Sequence, residues 1–204
     1  KQYPMELHVI RHGETNWNKE KRIQGQSESE LTKQGILQAQ ELGKRIRELK
    51  FDAIYCSSSL RTIQTAKYIF ENPEKKIHYR DSLREIFLGP WEGRLHEEVL
   101  NADPVNHKHF TTLPHLFKIK SAETFLDLQN RAVNAITEIG QMHENLKIAV
   151  ISHGALIKAY LCHIENKPIS RLWDPPQIHN CSHTIITVNK NGNAKLIQLV
   201  DKKV

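Results

Sequence analysis

Nine residues near the start of the chain, Leu7-His8-Val9-Ile10-Arg11-His12-Gly13-Glu14-Thr15, contain the pattern that decides the fold class. The short apolar run predicts a buried strand, and that strand ends in Arg-His-Gly. An imidazole and a guanidinium would then lie at one edge of a sheet, beside a glycine that lets the backbone come close to a ligand. A histidine there can attack phosphorus while the arginine neutralises phosphate oxygens. The stretch therefore suggests phosphoryl transfer, provided that the rest of the chain supplies the other parts of the site.

Length and composition favour one domain that spans residues 1–204. A chain of this length buries roughly 70% of its unfolded surface around one core. The three cysteines are odd in number, far apart and without CxxC spacing, which is typical of reduced thiols in a cytosol. A cytoplasmic location is expected, and no apolar run approaches the ~20 residues that would span a bilayer.

The basic excess of the chain is moderate and scattered. The sequence has 29 Lys and Arg against 23 Asp and Glu, which gives a formal net charge of +6. The basic residues form no dense tract and no stripe interleaved with aromatics, so nucleic acid is not expected as a partner. An anionic small-molecule substrate accounts for part of the excess.

Strands and helices are predicted to alternate along the chain. Apolar periodicity, turn residues and a helix cap at Thr32 predict the following elements: strands at 6–10, 53–56, 77–79 and 147–152, helices at 32–50, 60–70, 125–143 and 155–164, and a hairpin of 182–189 and 194–199 around Asn191-Gly192. Such alternation implies a mostly parallel mixed sheet covered on both faces. The expected architecture is a three-layer α/β/α sandwich with a C-terminal hairpin.

The stretch 88–120 breaks this alternation. It is rich in aromatics, His and Pro, its periodicity is weak, and it is predicted to be a partly helical insertion that serves as a lid. The lid is expected to line the substrate site with apolar side chains suited to hydrophobic organic phosphates: Trp91, Phe110, Leu113, Leu116 and Phe117. The insertion also contains basic side chains that are compatible with sugar phosphates, so these stay open as substrates: Arg94, Lys118 and Lys120.

Cationic and imidazole side chains follow three of the predicted strands. Arg11-His12 comes after the first, Arg61 after the second, and His153 after the strand at 147–152. Ligands bind outside the carboxyl ends of the strands in an open α/β sheet, so these groups can meet there. Helices predicted to begin near residues 59 and 155 would add backbone N–H groups. Together they predict a phosphate site, with Glu85 as the carboxylate that could serve as proton donor.

At this point the chain resembles the histidine phosphatase superfamily, which includes cofactor-dependent phosphoglycerate mutases and many small phosphatases. The resemblance covers nearly the whole chain and rests on motifs in a specific order: Arg11-His12-Gly13-Glu14-Thr15, Trp17-Asn18, Arg22, Gln24-Gly25, Leu31-Thr32 with Gly35, Arg61-Thr62-Ile63-Gln64-Thr65-Ala66, Glu85 before Gly89-Pro90-Trp91-Glu92-Gly93, and Ser152-His153-Gly154.

Within that family the chain is most similar to short bacterial broad-specificity phosphatases of the PhoE type. The points of similarity are Asp103-Pro104, His109-Phe110, Pro114-His115-Leu116, and Leu172-Trp173 before Pro175-Pro176. Two places depart from the family pattern. Glu28 and Glu30 stand where relatives usually carry Asp and Pro, and Ser121-Ala122-Glu123-Thr124 replaces a more usual Gly-Gly-Glu-Ser. These departures bear on specificity more than on activity.

The resemblance implies a role for each candidate residue. His12 is expected to be the nucleophile that forms a phosphohistidine, Glu85 to be the proton donor and acceptor, and three cationic or imidazole groups to stabilise the phosphoryl group: Arg11, Arg61 and His153. Substrate contacts are expected from Asn18, Gln24, Gly25, Trp91 and Phe110. No metal and no organic cofactor is expected. The expected partner is a small phosphomonoester, and the oligomeric state is a monomer or a homodimer.

Other functions stay open beside a broad-specificity phosphomonoesterase. One is a cofactor-dependent phosphoglycerate mutase, although mutases of this family are usually longer. Another is a sugar-phosphate or nucleotide-loop phosphatase of the same superfamily. A remote alternative is an inactive protein that binds phospho-ligands, and against it stands the retention of both His12 and Glu85.

Overall fold

A single sheet forms the middle layer of the molecule. Within residues 4–71, 73, 76–144 and 146–204, which the computed structural model describes, the sheet has seven strands. Their bounds are β1 (Met5–Arg11), β2 (Ala53–Ser57), β3 (Ile77–Arg80), β4 (Lys147–Ser152), β5 (His183–Val188), β6 (Ala194–Leu199) and β7 (Lys202–Lys203).

The strand order is β3-β2-β4-β1-β5-β6-β7. The strands β3, β2, β4 and β1 run parallel, while β5, β6 and β7 each run antiparallel to the preceding neighbour. Because β1 and β4 are parallel neighbours in the centre of the sheet, the chain segments that leave these two strands emerge at the same edge. The register that pairs Arg11 with Ser152 places the residues after both strands side by side.

Helices cover both faces of the sheet. Their bounds are α1 (Asn16–Glu20), α2 (Lys33–Arg45), α3 (Leu60–Ile69), α4 (His96–Ala102), α5 (Pro104–Thr112), α6 (Phe125–Met142) and α7 (Gly154–Ile164). Short 3-10 helices lie at Asp81–Leu83, Gly89–Trp91, Pro114–Leu116 and Ile169–Arg171. Of the helices described, none is long and apolar enough to cross a membrane.

Alternating residues of the central strands enter two separate hydrophobic clusters. In β4, Ile148 and Val150 pack with α6 and α7, whereas Ala149 and Ile151 pack with α2 and α3. Successive side chains of a strand point to opposite faces, so a strand buried on both faces reads as a continuous apolar run. The three-layer sandwich predicted from the sequence is therefore confirmed.

Most predicted elements are present, and the differences have local causes. The helix that Thr32 caps ends at Arg45 rather than near residue 50. Its apolar pattern continues because Ile46 and Leu49 still pack on the core, but they do so from a turn closed by the Leu49 N–H on the Ile46 carbonyl. Helix α1 was not predicted because none of its residues is buried, and it is held instead by a capping box between Thr15 and Asn18.

Candidate active site

The candidate site lies at the carboxyl ends of β1 and β4. His12 follows β1 and His153 follows β4, and their ring centroids are 5.3 Å apart. Both side chains are buried. The sequence prediction that these two histidines meet at one sheet edge is thus correct in its geometry.

The turn after β1 needs glycine because two backbone segments touch there. A Cβ on Gly13 would lie 2.6 Å from the carbonyl oxygen of Gly35, at the start of α2. The Gly13 N–H donates to Oγ1 of Thr65 at 3.0 Å, and that hydroxyl donates to the Arg61 carbonyl at 2.7 Å. The turn that carries His12 is therefore fixed to α3, the helix that carries Arg61.

The ring of His12 is held in one tautomer by its neighbour in the chain. Its Nδ1 lies 2.7 Å from the carbonyl oxygen of Gly13, and because a carbonyl only accepts, Nδ1 carries the hydrogen. Burial, and then the charges of Arg61 and Arg11, hold the pKa of His12 well below its ordinary value. The ring is therefore neutral at pH 7, with the lone pair on Nε2.

Arg61, which is buried, and Arg11, which is partly buried, line the same cavity as this ring, and among the described residues they bond to backbone carbonyls rather than to carboxylates. Arg61 donates from Nη1 to Ser27 at 2.9 Å and from Nη2 to Gly25 at 2.6 Å, and Arg11 donates from Nη1 to Ile178 at 2.6 Å. Burial lowers the pKa of Arg61 to about 10 and lowers that of Arg11, which leaves both cationic at neutral pH. In the part of the chain that is described, the buried Nε of each arginine has no hydrogen-bond partner.

Glu85 reaches the same site from the segment between β3 and α4. Its Oε2 accepts from the Ala155 N–H at 3.0 Å, and its Oε1 accepts from the N–H groups of Leu156 and Ile86, each at 3.0 Å. The carboxylate is therefore held at the first turn of α7. It lines a cavity of about 510 Å³ together with His12, Arg11 and Arg61.

These contacts correct one expectation about the helix N-termini. The first amides of α7 are occupied by Glu85, and the Leu60 N–H at the start of α3 donates to a carboxylate oxygen of Glu28. The N–H groups of Ala155, Leu156 and Leu60, which were predicted to bind phosphate, are thus already paired within the protein. Side-chain cations supply the positive charge of the cavity instead.

His153 is oriented by a serine on the neighbouring strand. Its Nε2 lies 2.8 Å from Oγ of Ser57, at the end of β2. Burial, and then the charges of Arg61, His12 and Arg11, lower the pKa of His153 well below its ordinary value. Its buried Nδ1 has no hydrogen-bond partner among the described residues.

Three of the predicted substrate contacts lie on the loop side of the cavity: Asn18, Gln24 and Gly25. The amide oxygen of Asn18 accepts from the Thr15 N–H at 3.1 Å. That of Gln24 accepts from the hydroxyls of Thr15 at 2.8 Å and Ser29 at 2.6 Å. With both oxygens occupied, the NH₂ groups are the donors that these amides can offer to a ligand.

Gly25 is required by the loop geometry. Its φ is +53°, and a Cβ there would lie 2.2 Å from Oε2 of Glu92. That carboxylate accepts from the Gln26 N–H at 3.0 Å, the Ser27 hydroxyl at 2.7 Å and the Leu88 N–H at 2.8 Å. Glu92 thereby joins the loop that binds Arg61 to the segment that follows Glu85.

The expected apolar lining from the insertion 88–120 is largely wrong. Phe110 lies on the cavity wall, but Trp91 and Phe117 are buried in the hydrophobic core, with ring centroids 5.3 Å apart, and Leu116 is exposed. The aromatic rings pack on one another, since Phe110 lies within 5.2 to 6.2 Å of Phe117 and Trp173. Mutual packing of the rings therefore outweighs exposure to a substrate.

Sequence reasoning missed several residues that line the cavity. They come from the loop after α1, from α4, from α7 and from the loop before β5: Arg22, Ile23, His96, Lys158, Trp173, Gln177, Ile178 and His179. Lys158 lies four residues, about one helical turn, after Gly154 in the predicted junction motif Ser152-His153-Gly154, a spacing that could have indicated it. The Gln177-Ile178-His179 loop has no motif that marks it, and only the pairing of β5 with β1 brings it close.

Comparison with known proteins gives matches over nearly the whole chain. The family model described as "Histidine phosphatase superfamily (branch 1)" matches residues 7–201. The solved structure titled "Bacillus stearothermophilus YhfR" is 37% identical, covers 98% of both chains and has a TM-score of 0.93. A phosphoserine phosphatase from Entamoeba histolytica, solved in complex with 3-phosphoglyceric acid, is 32% identical over 94% of both chains, with a TM-score of 0.82. Phosphoglycerate mutase-like protein 4 of Arabidopsis thaliana is 34% identical over 157 residues, 76% of this chain and 68% of the relative.

Proposed function

Because this chain belongs to the histidine phosphatase superfamily, we propose that it hydrolyses small organic phosphomonoesters through a phosphohistidine formed on His12. Neither a metal nor an organic cofactor takes part in this mechanism. The observation that carries the proposal is the neutral His12 ring, whose Nε2 keeps its lone pair in a cavity also lined by Arg11 and Arg61, two arginines that are bonded to no carboxylate among the described residues. An uncharged nucleophile approaches a phosphate dianion without charge repulsion.

In the first step Nε2 of His12 attacks phosphorus. The N–P bond forms while the ester P–O bond breaks, and the leaving alkoxide takes a proton from Glu85. Arg11 and Arg61 line the cavity with their guanidinium groups, which neutralise the charge on the phosphoryl oxygens. His153 is buried beside the His12 ring, from which it stabilises the same group, and a bound dianion favours the protonated imidazolium there.

In the second step water takes the place of the leaving group. The Glu85 carboxylate accepts a proton from the water as the new O–P bond forms and the N–P bond breaks. Inorganic phosphate is released, and both His12 and Glu85 return to their starting states. The same residue thus serves as acid and then as base, as microscopic reversibility requires.

The cavity walls support a broad range of small organic substrates. Apolar side chains lie beside the cationic centre: Ile23, Ile86, Leu88, Phe110, Trp173 and Ile178. We expect aryl and other apolar phosphomonoesters to have higher kcat/KM than small polar ones. The Entamoeba relative binds a small phosphate ester, and a volume of about 510 Å³ suits compounds of that size.

We also propose that the enzyme works in the cytosol of a bacterium, as a monomer or a homodimer. The support for the compartment is that Cys56, Cys162 and Cys181 are all buried and unpaired. We propose in addition that residues 88–120, which contribute Leu88, His96, Phe110 and Thr111 to the cavity wall, act as a lid.

Rapid-quench single-turnover kinetics with a ³²P-labelled phosphomonoester test this function. We expect an acid-labile, base-stable phosphoenzyme in the wild type and its absence in His12→Ala. His115→Ala, a change of an exposed histidine outside the cavity, is the matched control and should retain it. A phosphoenzyme that survives in His12→Ala would overturn the mechanism.

The same preparation distinguishes hydrolysis from mutase activity. Incubation with 3-phosphoglycerate should release free phosphate in excess of any isomerised phosphoglycerate. If the isomerised acid exceeds free phosphate, and 3-phosphoglycerate is the best substrate of a phosphomonoester panel, the function is that of a mutase.

A further inference from the structure

The segment that carries Glu85 has no regular secondary structure. Residues 84–88 belong to no helix or strand, yet a proton donor must be held to within a fraction of an ångström of its target. Buried backbone groups need partners, so the position of this segment depends on which side chains bind its carbonyl and N–H groups.

One side chain from α6 supplies most of these contacts. Arg131 donates from Nη1 to the carbonyls of Ser82 at 3.1 Å and Arg84 at 2.6 Å, and from Nη2 to the carbonyl of Glu85 at 3.1 Å. Its remaining two donors bind both carboxylate oxygens of Glu123, at 3.0 Å from Nε and 2.8 Å from Nη2. All five N–H groups of the guanidinium are therefore used.

Glu123 binds the backbone on the other side of Glu85. Its Oε2 accepts from the Phe87 N–H at 3.2 Å, and its own N–H donates to the Phe87 carbonyl at 2.8 Å. The Arg131–Glu123 pair thus binds backbone groups of residues 82, 84, 85 and 87. Both side chains are about one-fifth exposed, so water competes little for these bonds.

We propose that Arg131, oriented by Glu123, is the positioning residue that sets where the Glu85 carboxylate stands. This inference rests on the proposed function, in which Glu85 moves the proton. Two helices then define the position of one residue: α7 binds the Glu85 carboxylate through the amides of Ala155 and Leu156, and α6 binds the Glu85 carbonyl through Arg131. The Glu85 carbonyl also accepts from Nε2 of Gln26 at 3.1 Å. Without Arg131 the carbonyl therefore keeps one donor from the loop after α1, while the carbonyls of Ser82 and Arg84 lose their Arg131 contacts and the segment is less firmly held.

Lysine cannot replace this contact set. A guanidinium is a planar fork with five donors in fixed directions, whereas an ammonium is a compact charge with three. Arg131→Lys therefore keeps the charge of α6 and the attraction to Glu123 but cannot bind three carbonyls and a bidentate carboxylate at once. Glu123→Gln is the complementary change, since it keeps the shape and removes the charge that orients Arg131.

The test is the dependence of the phosphorylation step on the leaving group. In single-turnover experiments, Arg131→Lys should slow transfer from an alkyl phosphate on the order of 10- to 100-fold. It should leave transfer from p-nitrophenyl phosphate nearly unchanged, because nitrophenolate departs with little need of a proton. The KM for p-nitrophenyl phosphate should stay constant, since Arg11 and Arg61 are untouched. Glu123→Gln should reproduce the same selectivity to a smaller extent.

A double-mutant cycle with Glu85→Gln separates positioning from a general loss of structure. If Arg131 acts through Glu85, adding Arg131→Lys to Glu85→Gln should cause little further loss with the alkyl ester. Ile139→Val, a change in the buried face of the same helix, serves as the stability control and should affect both esters equally or not at all.

The other possible results of these experiments each contradict either the positioning role of Arg131 or the proton-transfer role of Glu85. Equal losses with both esters in Arg131→Lys, or full additivity in the cycle, overturn the positioning role while leaving the proposed function in place. If Glu85→Gln itself makes no distinction between the two esters, the proton-transfer role of Glu85 fails, and the positioning role fails with it.

Discussion

The Oε2 atom of Glu85 lies 3.0 Å from the backbone nitrogen of Ala155, at the N-terminus of α7. Among the described residues, Glu85 supplies the one carboxylate that lines the cavity. His153, the N-cap residue immediately before this helix, stands beside the His12 ring. The nucleophile and the carboxylate are therefore tied to the same helix end. Their relative position does not depend on a flexible loop alone.

Glu85→Gln should slow phosphorylation of His12 in proportion to the need of the leaving group for a proton. General acid catalysis is typically worth 10²- to 10⁴-fold, or about 3–5 kcal/mol, for a poor alkoxide leaving group. A nitrophenyl ester should lose far less. Single-turnover measurement is needed, because Glu85 also assists the later hydrolysis. Equal losses for both esters would point to another group as the proton donor.

The stability of the protein should fall as the pH falls below about 6.5. Burial lowers the pKa of six histidines, and that of His183 is lowered to about 4; the six are His8, His12, His78, His96, His153 and His183. The unfolded chain therefore binds more protons than the folded one in this range, and stability rises with pH. For His183 the loss develops between pH 6.5 and 4 and amounts to a few kcal/mol.

Urea unfolding at several pH values checks this dependence. His183→Gln removes one of the titrating groups and should make the decrease in unfolding free energy shallower, although it also removes the hydrogen bond to His8. An unfolding free energy that stays constant from pH 7 to pH 5 would show that these buried rings take up protons without unfolding.

Gly25→Ala should damage both stability and substrate binding. The new Cβ would carry a φ of +53° and would collide with the Glu92 carboxylate, which displaces the loop that binds Arg61. We expect a loss of about 1–3 kcal/mol in unfolding free energy and a fall in kcat/KM through a raised KM.

Gly192→Ala is the matched control for that change. Its φ is +79°, but no atom lies within 4 Å of the new Cβ, so it has a comparable backbone cost without a collision and without contact to the cavity. Catalysis should be unaffected in this variant. A similar fall in kcat/KM at both glycines would mean that loss of stability, rather than the position of Arg61, explains the Gly25 result.

The enzyme should be fully active in excess chelator. Arg11, Arg61 and His153 supply the positive charge that the transition state needs in the proposed mechanism. Turnover of p-nitrophenyl phosphate in EDTA, followed by addition of single divalent metals, checks this directly. Loss of most activity in the chelator, with recovery on one specific metal, would contradict the mechanism.

The parts of the site that could be predicted are those that lie next to regular elements. His12, Arg61 and His153 stand within a few residues of strand ends, and strands such as Lys147–Ser152 have a pattern that identifies them. The carboxyl edge of a parallel sheet then brings them together whatever their separation in sequence. The apolar pattern of the strands, together with the rule that ligands bind at the carboxyl edge of a parallel sheet, was sufficient to predict that these three residues lie close together.

The remaining parts depend on side-chain contacts that leave no periodic signal. The segment around Glu85 has no regular structure, so the role of Arg131 can be read only from its three carbonyl contacts. Trp91 was expected on the cavity wall because it belongs to the aromatic-rich stretch predicted to be a lid, but its ring is buried in the hydrophobic core. Composition alone does not distinguish these two fates of an aromatic side chain.

The two arginines without carboxylate partners also affect what happens after the chemistry. In the proposed cycle inorganic phosphate meets the same guanidinium groups that held the ester, and its departure leaves two cations facing one carboxylate, that of Glu85, on the described cavity wall. The empty site therefore keeps an excess of positive charge that favours phosphate binding. Release of inorganic phosphate then competes with its rebinding. We therefore expect turnover to fall as the concentration of free phosphate rises.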